Sequence, residues 1–183
     1  LYIARLPEVR EVIGAEYSDL ACRRLFETAG IGYKIRRINA KITEYISADK
    51  DAPLRIFQGD FFELDSKLIG RVDRVFDRAA YVALPYQNTE LKERYIRKIA
   101  NMLTPDGLML FASMAQLPRP PEQQDIHIPP FCYRADEVAK AFSPHFEEIR
   151  FLETYAYRLQ AGVVKEPYYL LRKADCAKTP FPT

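Results

Sequence analysis

The chain has 183 residues, enough for one domain that buries about 70% of its unfolded surface without a disulfide or metal staple. It is 48% hydrophobic and 28% charged, the balance of an ordinary globular protein, and its net charge of +2 is too small to imply a nucleic-acid partner. Three cysteines (Cys22, Cys132, Cys176) without CxxC spacing and two histidines (His127, His145) without ligand spacing argue against a disulfide framework and a metal centre, and no apolar run approaches the roughly 18 residues of a membrane span.

A reducing cytoplasm is the expected compartment, since no signal peptide opens the chain. Arg23-Arg24 and the Lys34, Arg36, Arg37, Lys41 group read as solvated faces. Residues 1–7 resemble the last turns of a helix whose beginning lies upstream. Residues 10–16 (REVIGAE) form a short strand ending in an acid, and residues 19–29 have helical spacing at Leu20, Leu25 and Phe26, closed by Gly30. A strand that ends in Glu and feeds a helix is the second strand of a nucleotide-binding unit, whose carboxylate accepts bonds from two ribose hydroxyls. Glu16 is the candidate for that role; the competing reading is an exposed strand-end acid. Residues 32–53 carry mixed charge and no sustained periodicity, so a short strand and an irregular excursion are expected there.

Residues 54–59 read as a buried strand and 72–76 as a second strand, with a polar loop between them. Ligands of open α/β sheets sit just beyond the carboxyl ends of the strands, which directs attention to Asp60-Phe61 and Asp77-Arg78. An acid followed by two aromatics, Asp60-Phe61-Phe62, offers an acceptor for an exocyclic amine and a flat apolar surface for a heteroaromatic ring such as a purine. Arg78 adds a guanidinium fork able to bind an anion or lie against a ring. The plainer alternative makes Asp77-Arg78 a surface ion pair and Phe61 and Phe62 core residues.

Residues 89–103 place Leu91, Tyr95, Ile99 and Met102 on one face of an amphipathic helix, stopped by Thr104-Pro105-Asp106-Gly107. Residues 108–114 are an apolar run suited to a central strand buried on both faces. Residues 118–130 carry five prolines and read as a substrate loop or lid. Residues 134–142 form a short helix, 146–157 an edge strand and 167–173 a last strand, giving a terminal antiparallel pair. No repeat or linker divides the chain, so residues 1–183 are expected to form a single domain. Tyr81, Tyr86, Phe131 and Tyr133 are candidate walls of an apolar acceptor pocket or else ordinary core aromatics, and Cys132 reads as structural.

These residues resemble the thiopurine S-methyltransferase family. The runs that carry the resemblance are VIGAEYS (residues 12–18), GDFFEL (59–64), FDRAAYVALP (76–85), LTPDGLMLF (103–111) and IPPFCYRADEV (128–138), of which FDRAAYVALP is the most specific. The resemblance implies an α/β, Rossmann-like seven-stranded methyltransferase sheet, mostly parallel with an antiparallel terminal strand. The family's first strand and glycine loop are missing from this chain, and its seven glycines contain no GxGxxG. It also implies S-adenosylmethionine as cofactor, with Glu16 on the ribose, Asp60 and Phe61 flanking the adenine, and Arg78 at the junction of cofactor and substrate. There Arg78 would serve binding and catalysis beside Tyr81, Pro130 and Phe131 on the acceptor.

The acceptor would be a small-molecule thiol or selenol, the protein a monomer without membrane or nucleic-acid partners. A longer insertion before Pro129, with Gln123, Gln124 and His127, departs from the family pattern and leaves the acceptor open. Competing readings are a methyltransferase for halide, thiocyanate or selenium anions, and a non-enzymatic sheet that has lost its cofactor loop. A dinucleotide dehydrogenase shares the strand-Glu-helix feature but gives Asp60-Phe61 no purpose. The methyl-transfer reading requires Glu16, Asp60, Phe61 and Arg78 at one rim of one sheet.

Overall fold

Two four-stranded sheets carry the fold of the residues described by the computed structural model, 2–118 and 129–173. They belong to two compact units, Leu1–Gly70 and Arg71–Thr183. In the first unit, a 3-10 turn at Ile3–Arg5 precedes β1 (Val12–Glu16), α1 (Asp19–Thr28), β2 (Tyr33–Arg37), β3 (Thr43–Ser47) and β4 (Leu54–Gln58). A second 3-10 turn, Phe61–Glu63, and the one-turn helix α2 (Ser66–Ile69) complete it. The strand order is β1-β4-β3-β2, with β1 and β4 parallel in the register Val12↔Leu54 to Glu16↔Gln58.

Helix α1 starts where Ser18 caps it, the hydroxyl accepting from the Ala21 N–H at 3.3 Å. It stops at Gly30, whose φ of 65° a side chain would disfavour. Its buried face, Cys22 and Phe26, packs with Ala4, Tyr45, Leu54 and Ile56, and Phe26 stacks on Tyr33 with ring centroids 5.0 Å apart.

Residues 32–53 form a full antiparallel hairpin, β2-β3, in place of the expected short strand and excursion. Its register is carried by charge. Glu44 is fully buried on β3 and accepts from Arg36 Nε and Arg55 Nε, each at 2.6 Å. Arg36 lies directly opposite Glu44 across the hairpin, so a cross-strand ion pair does the work usually signalled by apolar alternation. This hairpin also corrects the expectation of a mostly parallel sheet: among the described residues two of the six strand pairings are parallel, β1-β4 and β5-β6, and the rest antiparallel. The connections 38–42 and 48–53 are too short for the crossover that a parallel neighbour needs.

The second unit holds β5 (Val72–Asp77), α3 (Ala80–Ala83), α4 (Thr89–Met102), β6 (Leu103–Ala112), α5 (Ala135–Phe142), β7 (Phe146–Leu159) and β8 (Gly162–Lys173). The order is β5-β6-β8-β7, with β5 parallel to β6 and the other two pairings antiparallel. The edge position of β7 and the closing antiparallel pair agree with the sequence reading. Asn88 caps α4 through a bond from the Leu91 N–H at 2.9 Å, and Tyr95, Ile96, Ile99, Ala100 and Met102 form its buried face. The chain passes from α4 directly into β6. Partners shift from Val72↔Leu103 to Arg74↔Leu108, so Thr104-Pro105-Asp106-Gly107 bulges out of the ladder rather than separating helix from strand. Tyr81, Phe111, Phe142 and Phe146 are fully buried side chains of this core.

The described residues carry eight strands in two four-stranded sheets, with β1 and β5 at sheet ends, paired only with β4 and β6. Among the described residues no helix is long and apolar enough to cross a membrane.

Gly59 closes β4 at a φ of 143°, and a Cβ there would lie 2.5 Å from the Lys41 carbonyl oxygen and 2.7 Å from Ile42 Cδ1. Gly30, also at positive φ, faces open space. Gly59→Ala should therefore destabilise by about 2 kcal/mol or more, and Gly30→Ala by only about 1 kcal/mol. Urea unfolding of the two variants checks the order; equal losses would show that backbone conformation alone, not crowding, governs Gly59.

Candidate functional site

At the carboxyl rim of the first sheet, Glu16 and Gln58 lie level in the parallel register, and the Gly59 N–H donates to the Glu16 carbonyl at 2.9 Å. Glu16 Oε1 accepts from the Ser18 N–H at 2.8 Å, which turns its carboxylate over the start of α1. Gln58 Nε2 donates to the Tyr17 carbonyl at 2.9 Å and ties down the same loop. The next residue along β4's exit, Asp60, is exposed and caps the turn Phe61–Glu63, accepting from the Phe62 N–H at 2.8 Å. Phe61 and Phe62 are half-buried, their rings edge-on with centroids 5.7 Å apart. Two carboxylates and an aromatic edge thus meet at the ends of adjacent parallel strands, where hydroxyls, an amine and a flat ring can be bound together.

The second unit builds its site from a buried acid. Asp77, 4% exposed at the end of β5, accepts from the Ala80 N–H at 2.9 Å, the Tyr81 N–H at 3.2 Å and the Tyr95 hydroxyl at 2.9 Å. Burial pushes its carboxyl above the usual range, and those three donors offset this only in part. The chain turns sharply over this anchor, with Ala79 at a φ of 131°, a conformation that costs a residue with a side chain of order 1–3 kcal/mol.

The turn directs Arg78 away from Asp77 and onto Glu166 of β8. Arg78 Nε and Nη2 reach Glu166 Oε2 and Oε1 at 3.0 and 3.1 Å, a two-pronged pair. Glu166 is 4% exposed and accepts further from the Tyr157 hydroxyl at 2.9 Å and the Tyr168 hydroxyl at 3.4 Å. Burial works to raise the Glu166 carboxyl, but the Arg78 guanidinium and the Tyr157 hydroxyl outweigh it and hold it below its usual range. The surface ion pair between Asp77 and Arg78 is thereby replaced: the acid faces the core, and the arginine has a different partner.

Arg78 and Glu166 line a cavity of about 210 Å³ together with Ser113 and the apolar Val82, Met114 and Pro130. Of the residues singled out from sequence, Arg78 and Pro130 reach it. Phe131 stands beside it: its N–H donates to the Val82 carbonyl at 2.7 Å and its ring packs on Tyr86 at 6.0 Å. Tyr81 is a correction. It is 2% exposed, with its ring against Phe111 at 5.5 Å and Phe142 at 5.1 Å, so it builds the core beneath the site and is no pocket wall. Tyr133 is buried likewise, and Tyr86 donates its hydroxyl to Glu137 at 2.7 Å.

Glu16, Asp60 and Phe61 share one rim, whereas Arg78 ends a strand of the other sheet, so the single rim of one sheet expected for all four is not found among the described residues. Gln123, Gln124, His127 and most of the proline-rich stretch lie outside the described residues. Glu166 and Ser113 are the residues that sequence reading missed. A signal existed for Glu166: it follows Val164 by two positions on β8, so strand alternation turns an acid inward. Among the described residues no group of three or more His, Cys, Asp or Glu is placed to hold a metal ion.

The family model for thiopurine S-methyltransferase matches residues 7–170. The thiopurine S-methyltransferase of Bordetella petrii is 30% identical over 139 residues, covering 76% of this chain and 58% of its own length. That of Vibrio cholerae is 33% identical over 131 residues, covering 72% and 53%. The chain thus spans somewhat more than half the length of these curated relatives. Among solved structures, a SAM-dependent methyltransferase from Methanosarcina mazei superposes with a TM-score of 0.61 at 16% identity, over 89% of this chain and 82% of that one. The N-methyltransferase NodS from Bradyrhizobium japonicum, bound to S-adenosylhomocysteine, superposes with 0.57 at 12% identity, over 92% and 69%. These likenesses show the α/β fold of SAM-dependent methyltransferases.

Because the folded-state carboxyl of Glu166 is lowered, its stabilising contribution is complete above the unfolded value of 4.5 and is lost as pH falls through the lower folded value. Melting curves recorded into that acid range should show a fall in Tm that is shallower in Glu166→Gln. Parallel profiles in the two proteins would assign acid unfolding to other groups.

Proposed function

Since the chain belongs to the thiopurine S-methyltransferase family, we propose that the complete protein transfers a methyl group from S-adenosylmethionine to the sulfur of a small aromatic or heterocyclic thiol, or to the selenium of a selenol. The observation that carries this reading is the level placement of Glu16 and Gln58 at the ends of two adjacent parallel strands, with Asp60 and Phe61 following at once. The donor set fits the cofactor. The Glu16 carboxylate accepts ribose hydroxyls, the Asp60 carboxylate accepts the adenine amine, and Phe61 offers its ring to the base. When bound, S-adenosylmethionine supplies a methyl group already activated by its sulfonium charge.

The remaining task of the residues is to hold the acceptor in line and to favour its reactive form. Orientation of this kind can supply up to about 7 to 11 kcal/mol. Aromatic thiols ionise near neutral pH, so a strong general base is dispensable. Arg78, its plane fixed by Glu166 and its side chain half exposed, stabilises the negative charge that gathers on the acceptor sulfur as its proton leaves. Pro130 bounds the acceptor from the far side of the turn, with Phe131 held beside it.

Loss of a charged hydrogen-bond donor costs roughly 1.5–3 kcal/mol, so Arg78→Ala should lower kcat/KM for an aromatic thiol by about 10- to 100-fold, with Arg78→Lys in between. Steady-state kinetics on the complete protein decide this, and unchanged rates in both variants would remove Arg78 from the mechanism. Calorimetry with S-adenosylhomocysteine should show affinity for the wild type and a loss of about tenfold in Glu16→Ala. A wild type that does not bind it refutes the proposed activity.

A further inference from the structure

We propose that Ser113 is a specificity-determining contact for the acceptor, and that the subsite it shares with Arg78 and Glu166 takes an electrically neutral heteroaromatic thiol or thione in preference to a bare anion. This rests on the methyltransferase reading above and narrows it.

The first observation is an unanswered hydroxyl. Ser113 follows the end of β6, and its N–H donates to the Pro167 carbonyl at 2.9 Å, so its backbone is fixed. Its side chain is 1% exposed, and the hydroxyl has no partner among the described residues. A buried hydroxyl in that state is disfavoured, and most such groups in folded proteins are satisfied. Ser113 stands in the wall of the cavity lined by Arg78 and Glu166, where a polar atom of a ligand completes it.

The second observation is charge. Glu166 accepts from Arg78 twice, from Tyr157 and from Tyr168, which uses the roughly four acceptor positions of a carboxylate. It therefore has no capacity left for a ligand; it acts as a positioning residue for Arg78 and offsets much of its charge, leaving the half-exposed guanidinium to answer only the partial charge that develops as a bound thiol loses its proton. The cavity is lined by one cation and one anion. A halide or thiocyanate ion entering beside Arg78 also meets the Glu166 carboxylate, so the field has little net attraction to offer it.

A neutral ring meets no such penalty. Val82, Met114 and Pro130 supply apolar walls, and about 210 Å³ suits one small ring system. The ring's nitrogen or exocyclic atom then bonds to the Ser113 hydroxyl. In the transfer step the acceptor sulfur forms a bond to the methyl carbon, the carbon–sulfonium bond breaks with its electron pair staying on the cofactor sulfur, and the acceptor's S–H or N–H proton passes to water.

The experiment compares 6-mercaptopurine, at a pH where it is neutral, with iodide as acceptors for the complete protein and its Ser113→Ala and Glu166→Gln variants. Thermal midpoints and S-adenosylhomocysteine affinity are measured on the same samples. Wild type should prefer the thiopurine. Ser113→Ala should lose about tenfold in kcat/KM for it and less than about twofold for iodide, with a thermal midpoint unchanged or raised because an unpaired buried hydroxyl is gone. Glu166→Gln should shift the ratio toward iodide. Equal losses for both acceptors in Ser113→Ala, a lowered midpoint without acceptor selectivity, or a wild type that prefers iodide overturns the proposal while S-adenosylhomocysteine binding keeps the methyltransferase reading intact. Absence of that binding together with no turnover of either acceptor overturns both.

Discussion

The second unit depends on one buried carboxylate. Asp77 closes β5 inside the protein and gathers two backbone N–H groups of the following turn and the Tyr95 hydroxyl from α4. A charge so placed is costly unless each oxygen is answered, and the answer dictates the path of the chain. Helix α3 must begin at once, Ala79 must accept a positive φ, and Arg78 is left on the outside of the bend. The core beneath, where Tyr81 packs between Phe111, Phe142 and Tyr133, makes the turn rigid.

The outward arginine then meets a second buried acid. Glu166 draws donors from β5's exit, from β7 through Tyr157 and from its own strand through Tyr168. The guanidinium is held at two points and is not free to follow a ligand, so the cavity is preorganised at the cost of part of its charge. The first unit uses a comparable device for a different end. Glu44 is buried between Arg36 and Arg55, and there the pairing sets strand register. Both pairings join a buried carboxylate to an arginine that is itself half exposed, and an arrangement that left such a carboxylate without its partner would be heavily penalised. In one unit that penalty selects a register, in the other a side-chain orientation.

Much of the candidate site was legible along the chain because its signals are local. A strand ending in Glu16 before a Ser18 cap, and Asp60 directly after a strand, are read within a few residues, and both rim positions hold. Helix α4 showed its face through spacing alone. The hairpin β2-β3 was obscured because its inward residue is an acid, so apolar periodicity fails where Glu44 sits. Tyr81 was misread as a pocket wall because an aromatic beside a reactive arginine looks the same whether it faces a cavity or the core. Helix direction after the Ala79 turn settles that, and the turn's geometry depends on Asp77's distant partner Tyr95.

The sequence by itself determined the family, the α/β class, the order of the main elements and the acidic strand ends, all of which follow from short-range pattern. Only the tertiary structure decided that Arg78 is paired, that its partner is Glu166, 88 positions away, and that Ser113 stands unanswered at the same cavity. Those facts come from strands meeting across β6 and β8, and no local propensity encodes which side chains such a meeting brings within hydrogen-bond reach.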